Sequence, residues 1–269
     1  MTILYVLAAF AAVFFAFQIN VWAGIALIAI ILGAGIYYYI PRYYAAKGNQ
    51  AYAAGDDEAA CQWYKKSYET GRTTVLMKSS YAYILMRTGR EDEAEKVLDP
   101  IIRVKGLDPK KRNAAKQQRC MVYYRQGRLD EAIEEVQALF DEGYINSNVY
   151  GMLGYFKLLR GDDINETLKI CEDAYEYNKD NRDILDNLAI CYYRLGRYED
   201  AERISDELFE NCDTFVEGCY HGAQIAMALG KYDRAEEILG KLPECKRSAM
   251  TTVTEEQIEE LKEEIKKHK

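Results

Sequence analysis

The sequence has few of the residues on which most enzyme sites depend. It contains two histidines, His221 and His268, and neither has a Ser, Cys or metal-ligand partner at a spacing that indicates catalysis or metal binding. Its seven cysteines include no Cys-x-x-Cys pair, and glycine-rich phosphate loops are absent. The sequence therefore predicts a protein that is not an enzyme and that has no metal or other cofactor.

Acidic and basic residues are missing from the first 41 residues. One helix of that length would be about 60 Å long, roughly twice the hydrocarbon core of a bilayer. The polar residues 18–20 interrupt this apolar segment and divide it in two. We therefore expect residues 1–41 to form a transmembrane helical hairpin with its turn at that interruption.

Two other interpretations of this segment stay open, a cleaved signal peptide and a buried hydrophobic hairpin in a soluble protein. A signal peptide normally has a basic N-terminal region and a short apolar core, and this segment has neither. Arg42 and Lys47 follow the second apolar stretch, so the positive-inside rule predicts that the rest of the chain is cytoplasmic. A location in the cell envelope stays open as well.

A glycine followed five positions later by a small residue, or six positions later in the variant from Gly161 to Thr167, recurs through the rest of the chain. Successive glycines are 34, 38, 34, 35 and 34 residues apart, which is the period of a helix-turn-helix repeat. Glycine can end a helix in the left-handed conformation, and acidic residues after it favour the start of another helix. These glycines are Gly55, Gly89, Gly127, Gly161, Gly196 and Gly230.

At these positions the chain resembles the tetratricopeptide repeat family, whose unit has Gly at position 15 and Ala at position 20. The matching small residues are Ala60, Ala94, Ala132, Thr167, Ala201 and Ala235. The resemblance covers about residues 42–245 and implies an all-α solenoid of about six helix pairs. Pro100 departs from the pattern, and we expect it to kink or end the second helix of repeat two.

The resemblance also implies a groove, lined by the first helix of each pair, that binds a protein or peptide segment. Its inward positions in the family register are Tyr83, Met86, Arg87, Met121, Tyr124, Arg125, Tyr155, Ile190, Tyr193 and Arg194. Arginine beside aromatic and methionine surfaces favours a partner segment with acidic and apolar side chains. In the alternative assignment, each Arg complements the negative end of its own helix and the tyrosines pack between repeats.

The last residues, 246–269, are predicted to form a linker and a capping helix. Thr254 and Gln257 fit a capping box, and Ile258, Leu261 and Ile265 form an apolar stripe suited to covering the end of repeat six. We therefore expect three parts: a hairpin over 1–41, a repeat array over 42–245, and this segment.

Together these features predict a membrane-anchored scaffold or adaptor that binds a protein partner. The net charge of −8 lies wholly in residues 42–269, so no nucleic-acid partner is expected. The alternative is a structural membrane protein that forms homo-oligomers through its hairpin and terminal helix and has no client peptide.

Overall fold

The computed structural model describes residues 2–211, 214–245 and 251–268, with side chains from residue 7 onward. Within those ranges the protein is all-helical, which confirms the predicted class. The helices are α1 (Thr2–Ile19), α2 (Val21–Ala53), α3 (Asp57–Glu69), α4 (Val75–Arg87), α5 (Glu91–Ile102), α6 (Pro109–Arg125), α7 (Leu129–Asp141), α8 (Ser147–Arg160), α9 (Ile164–Tyr177), α10 (Arg182–Arg194), α11 (Tyr198–Asn211), α12 (Val216–Ala228), α13 (Tyr232–Leu239), a 3₁₀ turn (Leu242–Glu244) and α14 (Glu255–Lys267). The chain divides into two compact units, Met1–Thr88 and Gly89–Lys269.

In the first unit, Asn20 alone separates α1 from α2, as expected from the polar interruption. Its side-chain oxygen accepts a hydrogen bond from the Trp22 amide at 2.8 Å and caps α2. Among the residues whose side chains the structure describes, α2 is the helix that is long and apolar enough to span a bilayer, and α1 contributes the shorter apolar stretch Leu7–Ile19. The hairpin of two spanning helices therefore stays a prediction.

Helix α2 continues from the apolar segment into the first repeat without interruption. Pro41 lies inside this helix and is buried, so the expected boundary at residue 41 falls within one element. The hydroxyl of Ser67, on α3, donates to the carbonyl of Pro41 at 2.7 Å. The apolar rod and the first helix of repeat one are thus a single helix that packs against α3.

The six repeat glycines all adopt positive φ, between 69° and 80°, which confirms their predicted place in the turns. Each small residue five or six positions later is almost fully buried, with 0% exposure for the five alanines and 1% for Thr167. Small side chains there allow the second helix of a pair to lie close to its neighbours. The glycine therefore marks the turn, and the small residue after it marks a buried position on the next helix.

Pro100 does not end its helix, so of the two predicted outcomes, a kink or an end, the second is not found. Helix α5 continues through Pro100 to Ile102, and the Arg103 amide still donates to the Asp99 carbonyl. Pro100 lies in the last turn, where Val97, Leu98 and Ile101 are buried and fix the helix. Core packing outweighs the loss of one amide donor so close to a helix end.

In the second unit, the helix pairs from α6 to α13 pack in sequence order over three clusters of buried apolar residues. Helix α14 closes this unit, and its capping box of Thr254 and Gln257 is formed as predicted. Its stripe of Ile258, Leu261 and Ile265 is 2% to 5% exposed. Leu261 and Ile265 join the core of α12 and α13, so the stripe covers repeat six.

We predict that Gly154→Ala destabilises the protein by about 1–3 kcal/mol because a Cβ there overpacks the core. That Cβ would lie 3.0 Å from the Cys171 sulfur and 3.3 Å from the Asn187 amide nitrogen. Gly151→Ala is the matched control on α8, since its Cβ would meet only the Asp183 Cβ, at 3.6 Å. Urea unfolding of the full chain in detergent measures both changes. Equal effects of the two substitutions would contradict the packing assignment.

Candidate functional site

The predicted groove residues of the first unit have different environments. Tyr83 lies beside Tyr52, with their hydroxyls 3.5 Å apart and their rings edge to face. Both rings line a cavity of about 360 Å³ together with Asn49, Tyr64, Ser79, Ser80 and Ile84. Met86 is 1% exposed and belongs to the core, so a partner on the surface cannot reach it. In this unit Tyr83 keeps the predicted access, and Met86 does not.

The three predicted arginines all have partners within the chain. Arg87 forms an ion pair of 2.8 Å with Asp57, which is in the first turn of α3. Arg125 forms the equivalent pair of 2.8 Å with Glu91, in the first turn of α5. Arg194 donates to the backbone carbonyl of Leu158 at 2.7 Å. Each arginine therefore joins its helix to an earlier one, a role that neither alternative from the sequence described.

In the second unit, the predicted tyrosines and Ile190 lie on the first helices of the pairs. The hydroxyls of Tyr124 and Tyr155 are 3.3 Å apart, and their rings are edge to face. Met121 is partly buried against the core below them. A cavity of about 300 Å³ lies further along, lined by Ile190, Tyr193, Arg194, Tyr220, His221, Gln224, Ile225 and Gln257. We call the face of α8, α10 and α12 that bears Tyr155, Tyr193 and Glu217 the α8–α12 groove.

Three polar residues of this groove were not predicted from the sequence. The Nδ1 atom of His221 lies 3.0 Å from both carboxylate oxygens of Asp186, which is 5% exposed. Glu217, one turn before His221, is 8% exposed. Asp186 and His221 are 35 residues apart, which is one repeat length. This spacing indicates that they lie at equivalent positions of neighbouring first helices.

Burial and neighbouring charges shift the pKa values of His221, Tyr124 and Tyr155. Burial by itself would lower the pKa of His221, but the charge of Asp186, its hydrogen bond and the charge of Glu217 outweigh it, so the pKa is raised. Burial also raises the pKa values of Tyr124 and Tyr155. Both phenols therefore stay protonated near neutral pH and can donate as well as accept hydrogen bonds.

The described residues contain no cluster of three or more His, Cys, Asp or Glu side chains suited to a metal ion. Cys120 is fully buried, and desolvation raises the pKa of its thiol well above the usual value. The sulfurs of Cys171 and Cys191 lie 3.6 Å apart in the core. These thiols act as small packing groups in the structure.

We predict that the His221–Asp186 pair makes stability depend on pH. Because the pKa of His221 is higher in the folded protein than in the unfolded one, its contribution is complete below about pH 6.5 and is lost as the pH rises through the raised value. The stability difference between the wild type and His221→Gln should therefore be larger at about pH 6 than at about pH 9. Urea unfolding measures it, with His268→Gln as the control. A difference that is independent of pH would contradict this linkage.

Comparisons with known proteins agree with the repeat architecture. Residues 158–211 match the model of the tetratricopeptide repeat family. Comparison with curated proteins found no match. The chain superposes on a tetratricopeptide repeat protein from Parabacteroides merdae with a TM-score of 0.67 and 12% identity, covering 96% of this chain and 99% of the other. The tetratricopeptide resemblance is therefore supported.

Two further similar structures are of pilus-related proteins. PilF from Pseudomonas aeruginosa gives a TM-score of 0.60 at 16% identity, covering 84% of this chain and 97% of its own. PilW, described as a type IV pilus biogenesis factor, gives 0.61 at 14% identity, covering 75% of this chain and 91% of its own. At such identities the likeness concerns the fold alone, and the partner of this chain does not follow from it.

Proposed function

We propose that this protein is a membrane-anchored scaffold that binds a protein partner in the α8–α12 groove. Proteins built from tetratricopeptide repeats generally act as scaffolds or adaptors for other proteins. The observation that carries the proposal is the continuity of α2, which joins an exposed apolar rod to the first repeat in one helix. The anchor and the first helix of the repeat array would then be parts of one helix.

Exposure along α1 and α2 supports the anchor. Large apolar side chains face outward over both helices, as at Phe10 (72% exposed), Trp22 (76%) and Leu32 (62%). So much exposed apolar surface is costly in water and favourable in lipid. The twenty residues 21–40 span about 30 Å, the thickness of a hydrocarbon core.

The far end of this rod has the features of a membrane interface. Tyr37 and Tyr38 are more than half exposed. The guanidinium carbon of Arg42 lies 3.7 Å from the ring centroid of Tyr38, and that of Arg72 lies 3.5 Å from the centroid of Tyr37. Tyrosines stacked with arginines are typical of the headgroup level, because the ring can contact apolar lipid while the charge contacts water and headgroups.

The groove itself favours an apolar partner segment that carries hydroxyl groups. Arg125, which was expected to attract acidic side chains, is already paired with Glu91. The carboxylates of Asp186 and Glu217 lie at the groove and would repel an acidic segment. Tyr124 and Tyr155 offer ring surfaces and hydroxyls instead. We therefore expect polar contacts through hydroxyl and amide groups, with apolar side chains between them.

The second candidate function, self-assembly without a client, receives less support. It requires the hairpin and the terminal helix to be available for contacts between copies. The stripe of α14 is buried against repeat six, so that helix has no large apolar face left for a second copy. The exposed rods of α1 and α2 remain able to associate with one another within a membrane.

We predict that the wild-type protein stays in the membrane pellet after alkaline carbonate extraction. Placing arginines in the middle of α2, with Ile30→Arg and Leu32→Arg together, should release it, because each costs about 3 kcal/mol at a bilayer centre. Gln62→Arg, on an exposed position of α3, is the control and should stay in the pellet. Release of the wild type, or removal of its first 41 residues in cells, would contradict the anchor.

Arg42 and Lys47 follow the apolar part of α2, so we predict that the repeats lie in the cytoplasm. Protease added outside intact cells should leave the repeats uncut, whereas the same protease should digest them after the membrane is opened. A periplasmic or extracellular marker protein serves as the positive control for access. Cleavage of the repeats in intact cells would reverse the proposed orientation.

A further inference from the structure

The α8–α12 groove already holds a segment of the chain itself. Residues 251–253 run between the last repeat and α14 without helical structure. The amide of Thr252 donates to the Glu217 carboxylate at 2.9 Å, and its side-chain oxygen lies 2.8 Å from the Tyr155 hydroxyl. Thr252 thus contacts two of the first helices, α8 and α12.

Apolar packing completes this contact. Val253 is 4% exposed and forms a small cluster with Val216 at the start of α12 and Ile258 in α14. Gln257, in the first turn of α14, lines the cavity that also contains Tyr193. The segment therefore lies against Tyr155, and the first turn of α14 lies beside the cavity of Tyr193; both tyrosines are predicted binding residues.

Glu217 indicates which group an occupant of the groove can offer. Its carboxylate is 8% exposed, and within the described residues its hydrogen bond comes from the Thr252 amide. A buried carboxylate without a donor is strongly unfavourable. A partner that replaces the segment and buries this carboxylate again must supply a donor to it, and a backbone N–H of an extended chain can do so in the same way as Thr252.

We propose that residues 251–253 are an internal occupant of the groove, and that the partner displaces them with an extended segment of the same chemistry. That segment has a hydroxyl residue, whose amide bonds Glu217 and whose hydroxyl bonds Tyr155, followed by a β-branched apolar residue. This inference rests on the proposed function, because it concerns how the same groove selects and admits its partner.

The partner and residues 251–253 compete for the same groove, so the binding of one is thermodynamically linked to the release of the other. The internal segment is tethered, so it competes at a high effective concentration with any free segment. The apparent dissociation constant of a partner equals its intrinsic value divided by the fraction of chains whose groove is open. Weakening the internal contacts must therefore tighten binding in trans. Helix α14 can stay docked meanwhile, because Leu261 and Ile265 lie in a separate cluster from Val253.

The test uses the full chain in detergent and a fluorescein-labelled peptide with the sequence of residues 251–254, Thr-Thr-Val-Thr, amidated at its C-terminus. Fluorescence anisotropy should show that the variant Thr252→Ala with Val253→Ala binds this probe about tenfold more tightly than the wild type. A probe that is N-methylated at the second threonine lacks the donor for Glu217 and should bind neither chain. If the double variant loses helicity, Thr252→Ala alone gives the same comparison.

Equal affinity of the wild type and the variant, no binding to either, or equal binding of the N-methylated probe would overturn the proposal. The result is independent of the membrane, since the protein is in detergent. Release by carbonate would contradict the proposed anchor without altering the probe affinities, so the two failures can be told apart.

Discussion

Close packing around one small side chain in each helix pair is the contact on which the rest of the structure depends. The alanines at this position are fully buried, and the preceding left-handed glycines turn the chain so that the next helix can begin. A second small residue, Gly154 on a first helix, is packed as closely, because a Cβ there would lie 3.0 Å from the Cys171 sulfur. With the pairs fixed in this way, the first helices are free to carry tyrosines and carboxylates on a shared face. The groove is a consequence of that packing.

Local rules were sufficient to predict the helices, their turns and the terminal cap. Glycine in a turn, helical periodicity and the Thr254–Gln257 box each depend on a few neighbouring residues, and each is found as expected. Both helices that contain an internal proline were harder to predict. Pro41 and Pro100 lie within α2 and α5 because buried contacts with other helices hold the chain there. Local propensity cannot anticipate contacts that come from distant residues.

The sequence predicted that two of the tyrosines share a face, but it did not predict contacts made by residues distant in the chain. The family register places Tyr124 and Tyr155 on one face, and they do meet. It could not show that Arg125 is paired with an acid of an earlier helix, or that a segment after the last repeat folds back onto Tyr155. Those contacts depend on side-chain direction and on the path of the terminal segment, which a repeat pattern does not specify. We therefore propose a partner segment with hydroxyl and β-branched side chains in place of the acidic one that the sequence predicts.

The central claim is that a protein tethered to the membrane through α2 presents the α8–α12 groove to a separate polypeptide. The most direct measurement places a photo-crosslinking amino acid at Tyr193, which lines the groove cavity, in the full-length protein in its own cells. Illumination followed by membrane fractionation and mass spectrometry should give an adduct between this position and an extended segment of a different protein, recovered with the membranes. Adducts confined to the chain itself or to a second copy of it, or recovered only from the soluble fraction, would contradict the account.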